Sequence, residues 1–211
     1  MLIPPFSGCR SEIRRGRFAS PGLSAQVEGA IGPRSGDLDA SVRLEDLGRI
    51  VEGFSGSATA ELNASRSAGA PWQITSNVNG PGGMRALADG TVSTGFERVD
   101  LDITGRAPLG LANTFIAPQS LGGQASFDLT VSGPPALSSV SGTITTSDAR
   151  LVAPTLGFVV ERMDGTVRLS GERSQVDILA STEGGGRVTV SGPIELAPPL
   201  NADLSVALSN V

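Results

Sequence analysis

The sequence predicts an all-β chain: a repetitive, elongated antiparallel sheet with one or two short helical insertions. Three observations predict it. Short runs with every second residue apolar are cut repeatedly by glycine. In 163–209 the last such run places Leu200, Ala202, Leu204, Val206 and Leu208 on one strand face and Asn201, Asp203, Ser205 and Ser209 on the other. Glycine (28 residues) and proline (14) are abundant while charged residues make up 18%, a balance that suits many short strands and turns and does not suit a helical bundle. The pattern also repeats along the chain. Gly56-Ser-Ala-Thr-Ala-Glu-Leu-Asn-Ala-Ser65 matches Gly123-Gln-Ala-Ser-Phe-Asp-Leu-Thr-Val-Ser132 in small, acidic and apolar character. Asp89-Gly-Thr-Val92 ahead of Val99-Asp-Leu101 echoes Asp164-Gly-Thr-Val167 ahead of Val176-Asp-Ile178, and Val131-Ser-Gly-Pro134 echoes Val190-Ser-Gly-Pro193. Two to three turns of one supersecondary theme are expected.

In chain order, residues 1–21 mix Pro, Gly, Ser and Arg without a period and are expected to be poorly ordered. Residues 22–83 form a first β repeat and 84–211 a second and third. Leu38, Ala40, Val42 and Leu44 alternate as a strand. Leu47, Ile50, Val51 and Phe54 then take helical spacing and predict a short helix or turn over 45–54. Strand pattern returns with Ala58, Ala60, Leu62 and Ala64, and again with Trp72, Ile74 and Val78, before the turn-rich 79–83. After the strand of Val99, Leu101 and Ile103, residues Leu109, Leu111, Ala112, Phe115 and Ile116 predict a second short helix closed by Pro118. Ala125, Phe127, Leu129 and Val131, then Val140, Gly142 and Ile144, then 151–160 complete the series. Asp89-Gly90 and Asp164-Gly165 are expected to turn hairpins, because a primed two-residue turn needs positive φ at both central positions, which glycine accepts freely; a strict two-residue loop at Asp164-Gly165 would pair Arg162 with Val167 and mix faces, so a longer loop or a bulge is the alternative there. Gly184-Gly185-Gly186 runs into the strand-like Arg187-Val-Thr-Val, which makes it a turn and not a phosphate loop.

What is missing narrows the function. The chain has no histidine and no tyrosine, and its one cysteine is Cys9. His-based acid–base chemistry, thiolate–His catalysis, the common zinc sites and an internal disulfide framework are therefore excluded, and neither enzymatic activity nor a cofactor is expected. Asp37 with Asp39, and Asp100 with Asp102, sit two apart on strand faces; a polysaccharide-active β-helix would need clustered carboxylates, but such pairs read as a solvated outer face. The net charge of −5, with 16 arginines scattered and no lysine, argues against nucleic acid as partner. No run reaches the roughly 18 apolar residues that cross a bilayer. Arg10, Arg14, Arg15 and Arg17 follow the N-terminal apolar residues instead of preceding them, so neither a signal nor a transmembrane segment is expected. The interrupted start, and an end directly after a strong strand, read as an internal or partial fragment of a longer protein.

The succession Leu121-Gly-Gly-Gln-Ala-Ser-Phe-Asp-Leu-Thr-Val-Ser-Gly-Pro, Gly142-Thr-Ile-Thr-Thr-Ser-Asp-Ala-Arg-Leu, Asp164-Gly-Thr-Val-Arg-Leu-Ser-Gly, Gly184-Gly-Gly-Arg-Val-Thr-Val-Ser-Gly and Pro199-Leu-Asn-Ala-Asp-Leu resembles the TamB family, the inner-membrane subunit of the translocation and assembly module. That family belongs to the wider AsmA-like group of bacterial envelope proteins. The resemblance is best over 84–211 and weaker over 22–83. Each motif alone is a generic β-turn, and the order carries the likeness. The resemblance implies a β-taco, an open trough curled from one long sheet with an apolar interior. It also implies a parent protein anchored in the inner membrane that crosses the periplasm, carries phospholipid toward the outer membrane, and supports outer-membrane protein assembly and secretion with an Omp85-type, TamA-like partner. The membrane anchor and partner-docking end of the family pattern are not found in this sequence.

Strands with one apolar and one polar face need a second sheet, closure into a barrel, or an apolar ligand to cover the apolar side. The interior candidates are Phe127, Leu129, Val131, Val167, Leu169, Val176, Ile178, Val188, Val190, Leu204, Val206 and Leu208. They are nearly all aliphatic, which suits phospholipid acyl chains at about 0.8 kcal/mol per buried methylene. Periodicity alone favours a self-filled core, as in a structural or adhesive, passenger-like β-repeat; the family resemblance favours an open lipid groove.

Overall fold

The computed structural model describes residues 11–32, 34–49, 55–182, 185–198 and 201–209. They form one open, 15-stranded antiparallel sheet that is not closed into a barrel. The strands are β1 (Ser11–Ser20), β2 (Leu23–Ile31), β3 (Gly36–Leu44), β4 (Ala58–Arg66), β5 (Trp72–Asn79), β6 (Arg85–Val92), β7 (Val99–Pro108), β8 (Ser120–Gly122), β9 (Gln124–Gly133), β10 (Val140–Ala153), β11 (Phe158–Ser170), β12 (Arg173–Thr182), β13 (Arg187–Glu195), β14 (Asn201–Ala202) and β15 (Ser205–Ser209). Sheet order follows chain order, except that β8 and β9 both pair with β10, and β14 and β15 both pair with β13. Every substantial strand–strand contact joins neighbours in this order, so among the described residues no second sheet lies on either face.

Register turns the alternation of single strands into a continuous surface. Directly paired residues share a face. One row of partners runs Phe18, Ala25, Val42, Ala60, Val78, Ala86, Gly105, Phe127, Ile144, Val167, Val176 and Gly192. All are apolar or glycine. The row one residue away, on the opposite face, runs Gln26, Ser41, Glu61, Asn77, Leu87, Thr104, Asp128, Thr143, Arg168 and Gln175, polar but for Leu87. With no second layer present, a flat sheet would expose both faces equally. Instead β7 alternates half-buried Val99, Leu101 and Ile103 with exposed Asp100, Asp102 and Thr104, so along this strand the apolar side is the sheltered one, whereas Phe18, Val27, Val42 and Leu62 on the same face of β1 to β4 are exposed.

Glycines inside strands supply the bends. Gly29 (φ 144°), Gly90 (φ 147°), Gly142 (φ 131°) and Gly192 (φ 150°) lie within β2, β6, β10 and β13 in a backbone region that side chains rarely adopt. A Cβ at each would run into the carbonyl oxygen of Asp37, Asp100, Asp128 or Asp203 on the adjoining chain segment. Glycine kinks of this kind curve a sheet.

Several expectations are corrected here. Asp89-Gly90 and Asp164-Gly165 are strand interiors, not hairpin turns: Arg162 pairs with Ser181, and Val167 pairs with Val176 and Ile144. The two-residue turns fall at Pro21-Gly22 and Gly171-Glu172, where Ser20 pairs with Leu23 and Ser170 with Arg173, and the positive φ belongs to Gly22 and Gly171. Residues 11–20 of the segment expected to be poorly ordered form β1, paired along β2. The strand expected over 200–209 is broken between β14 and β15, where the Asp203 N–H donates to Pro193 O at 3.0 Å. Both helical insertions are short. Leu47–Arg49 is a single 3₁₀ turn, with residues 50–54 of the predicted element outside the described residues; Leu109–Ala112 is another, leading into α1 (Asn113–Ile116). The repeat of Gly56–Ser65 in Gly123–Ser132 corresponds to β4 and β9, each entered after an insertion through a positive-φ glycine.

Candidate apolar trough

Register places Phe127, Leu129 and Val131 of β9, Val167 and Leu169 of β11, Val176 and Ile178 of β12, Val188 and Val190 of β13, and Val206 and Leu208 of β15 on the apolar face. Leu204 lies in the break between β14 and β15, its Cα beside Gly192. Exposure divides the set. Val176 and Val188 are buried at 7% and 8%, whereas Leu204, Val206 and Leu208 stand open at 40%, 61% and 64% next to the free edge. The rest are half-buried.

Two plugs of protein explain the division. Toward one end, Ala149, Val160, Met163, Ala180 and Val188 form a buried cluster against which Leu109, Leu121, Leu151, Ile178 and Val190 pack. Leu109 comes from the second insertion, which is tied down by Asn113: its Oδ1 accepts from Leu121 N–H at 2.7 Å and its Nδ2 donates to Leu121 O at 3.3 Å. That amide stands in for a neighbouring strand beside β8. Toward the other end, Ala64, Trp72 and Val92 form a second cluster with Leu38, Ile74 and Val99. The Trp72 indole reaches over Gly36, two strands away, at the place a side chain there would occupy.

Neither cluster includes Leu101, Ile103, Phe127, Leu129, Val131, Ile144, Val167 or Leu169. These half-buried residues of β7, β9, β10 and β11 make a continuous apolar strip. Phe127 lies over Gly105, whose absent Cβ would come within 2.6 Å of Cζ. Leu101, Ile103 and Ile144 belong to the strip as fully as Phe127 does, although the sequence reading did not select them; cross-strand pairing identifies them, and single-strand alternation does not reveal it.

The opposite face is polar and exposed. Asp89 pairs directly with Asp102; Asp89 Oδ2 accepts from Thr75 Oγ1 at 3.0 Å and Asp102 Oδ1 from Thr130 Oγ1 at 2.9 Å. Asp100 and Asp37 are exposed on the same face. No group of three metal-ligating side chains occurs among the described residues. Asp46 has a lowered pKa because Gly56 and Gly48 N–H groups donate to its Oδ1, with Arg49 adding to the effect; it organises the first insertion.

No family model, curated protein or solved structure matches the chain. No helix among the described residues is long and apolar enough to cross a membrane.

Proposed function

We propose that the chain is a groove segment of a TamB/AsmA-like envelope protein, and that the strip of Leu101, Ile103, Phe127, Leu129, Ile144 and Val167 shields phospholipid acyl chains between the inner and outer membranes. The observation that carries this reading is a single-layer sheet with one predominantly apolar face and no second sheet over it among the described residues. An acyl chain needs apolar surface and no fixed polar partner, and this strip offers that. Periplasmic location, an inner-membrane anchor, an Omp85-type partner and a part in outer-membrane protein assembly belong to the parent protein and rest on the motif order in 84–211. The self-filled core of an adhesive repeat would need a covering layer along the strip, and among the described residues the two buried clusters flank the strip without covering it.

Photo-crosslinking residues at Leu129 and Leu101, with Asp128 and Asp102 on the opposite face as controls, test this in cell envelopes. Phospholipid adducts are expected at the first pair and not the second. Equal labelling of both faces, or labelling of neither, would remove the groove.

A further inference from the structure

The hairpin between β6 and β7 presents its one aromatic residue to solvent on a strained backbone. Phe96 is 68% exposed and has φ 59°, in the left-handed region that bulky side chains avoid. The preceding Gly95 would adopt that region freely, yet its φ lies outside it. Val92 and Val99, which the hairpin joins, belong to the Trp72 cluster, and Phe96 does not. The strain is therefore not offset by burial among the described residues, and an exposed aromatic held this way points to a contact outside the chain.

A second apolar tip stands beside it. β7 pairs with β9 through Val99 and Gly133, so the β6–β7 loop (93–98) and the β9–β10 loop (134–139) leave the same end of neighbouring strands. The second loop carries exposed Pro134, Pro135 and Ala136, and Leu137 at 46% exposure. Both loops spring from the paired rows Val92–Val99–Gly133 and Leu101–Val131–Val140, at the rim of the apolar strip. Their backbone suits an apolar medium, where an unbonded N–H is costly. In the first loop Ser93 N–H donates to Arg98 O at 2.8 Å, Phe96 N–H to Ser93 O at 2.9 Å and Arg98 N–H to Ser93 Oγ at 2.9 Å. In the second, Pro134 and Pro135 have no N–H, Ala136 N–H donates to Pro134 O at 2.7 Å and Ser139 N–H to Ala136 O at 3.0 Å. Exposed charges nearby balance in sign, Glu97 against Arg98 and Glu172 against Arg173. Such tips fit a medium that supplies neither charge nor hydrogen bonds, which is a bilayer interior and not a protein surface.

We propose that Phe96 and Leu137 insert into the apolar region of a lipid bilayer and seat this rim of the sheet on a membrane, where acyl chains pass onto the strip beside them. This assignment rests on the groove reading above, which requires lipid to enter from a bilayer.

The test floats the purified chain with phosphatidylcholine vesicles and, separately, measures its urea midpoint. Wild type is expected to float with the vesicles. Phosphatidylglycerol vesicles should bind it more weakly, because the chain carries a net charge of −5, and the difference should narrow as salt is added. Phe96→Asn removes the anchor and supplies a residue that tolerates the left-handed region, so vesicle affinity should fall about tenfold while the urea midpoint rises. Leu137→Ser should weaken binding in the same direction at an unchanged midpoint, and serves if the Asn variant does not fold. Equal flotation of wild type and both variants would overturn the tips as anchors and leave the groove standing. Binding confined to phosphatidylglycerol would overturn apolar anchoring. Wild type that does not float, or a photo-crosslinking residue at Glu97 that captures protein and no lipid in cell envelopes, would overturn the membrane contact. A lowered midpoint in Phe96→Asn would make Phe96 a residue of the fold and overturn its role as an anchor. Flotation that depends on Phe96, without lipid adducts at Leu129, would remove the groove and keep the membrane contact.

Discussion

Replacing Gly142 by alanine should unfold the sheet far more readily than the same change at Gly165, although both glycines lie inside adjacent strands on the apolar face. Gly142 sits in β10 at φ 131°, and a Cβ there would overlap Asp128 O and lie 2.7 Å from Leu129 Cα. Both obstacles are backbone, so no rotamer change relieves them. Holding a non-glycine residue in that region costs about 1–3 kcal/mol. Parting β9 from β10 locally forfeits one or two ladder hydrogen bonds at about 1 kcal/mol each. The reduced freedom of the unfolded chain returns about 0.4–1 kcal/mol. The net loss expected for Gly142→Ala is about 1–4.5 kcal/mol on these figures. Gly165 keeps φ outside the glycine-favouring region, and its Cβ would first meet side chains, Thr146 Cγ2 at 3.3 Å and Ile178 Cγ1 at 3.5 Å, with the backbone oxygen of Asp177 no nearer than 4.0 Å. Gly165→Ala should therefore change stability by less than about 1 kcal/mol, in either direction. Urea unfolding followed by far-ultraviolet circular dichroism measures both, with equal m-values as the check that the unfolded ensembles match. Unfolding free energies for the two variants within about 0.5 kcal/mol of each other would refute the assignment of Gly142 as a backbone kink.

Further consequences follow from side chains elsewhere in the sheet. Asn113→Ala leaves the half-buried Leu121 N–H without its acceptor and should cost about 1–3 kcal/mol in the same unfolding assay, a loss under 0.5 kcal/mol counting against the strand-mimic role. Asp102→Asn removes one of two directly paired carboxylates yet keeps the acceptor that Thr130 uses, so it should stabilise by about 0.2–1 kcal/mol, with the gain shrinking as salt is added. For Asp46 the folded pKa is depressed, so its contribution is fully present above the unfolded carboxylate pKa and is lost as pH falls through the folded value. The Gly48 and Gly56 amide resonances should consequently titrate together below about pH 4, and Asp46→Asn should abolish that titration; an inflection persisting in the variant would point to another group.

Strand positions were legible in the sequence because period-two alternation needs no tertiary information, as Ala58 to Ala64 and Val99 to Ile103 illustrate. What alternation could not give was the use of each glycine. Asp-Gly is a hairpin signal because glycine accepts positive φ, but a strand kink draws on the same freedom, and only the pairing partner tells them apart. Gly90 is flanked by Ile74 and Leu101, which makes it a kink. Gly171 closes Ser170 onto Arg173, which makes it a turn. The site was half legible for the same reason. Alternation puts Phe127 and Leu129 on the apolar face, but it cannot show that Val188 belongs to a cluster covered by Leu109, a residue 79 positions earlier brought over by the insertion that Asn113 fixes.

The kinks also redraw the repeat. Val190-Ser-Gly-Pro was paired with Val131-Ser-Gly-Pro on composition, but Gly133 ends its strand while Gly192 bends one. The structural counterparts are Val27-Glu-Gly-Ala-Ile31, Ala88-Asp-Gly-Thr-Val92, Val140-Ser-Gly-Thr-Ile144 and Val190-Ser-Gly-Pro-Ile194, each set against an Asp-Leu dipeptide: Asp37-Leu38, Asp100-Leu101, Asp128-Leu129 and Asp203-Leu204. In all four the contact is with the aspartate's backbone carbonyl, so the carboxylate is free to serve the solvated face and the leucine to serve the apolar one. Curvature is thus written in backbone requirements and the lining in side-chain chemistry, and the two should respond differently to change. Leu129→Ile or Val167→Ile keeps an aliphatic surface on an open strip and should cost under about 1.5 kcal/mol with lipid crosslinking retained. Alanine at any of the four kink glycines should remove the shelter of the strip even though no lining residue is altered. If crosslinking at Leu129 survives Gly142→Ala in a folded variant, the trough does not owe its shape to these glycines.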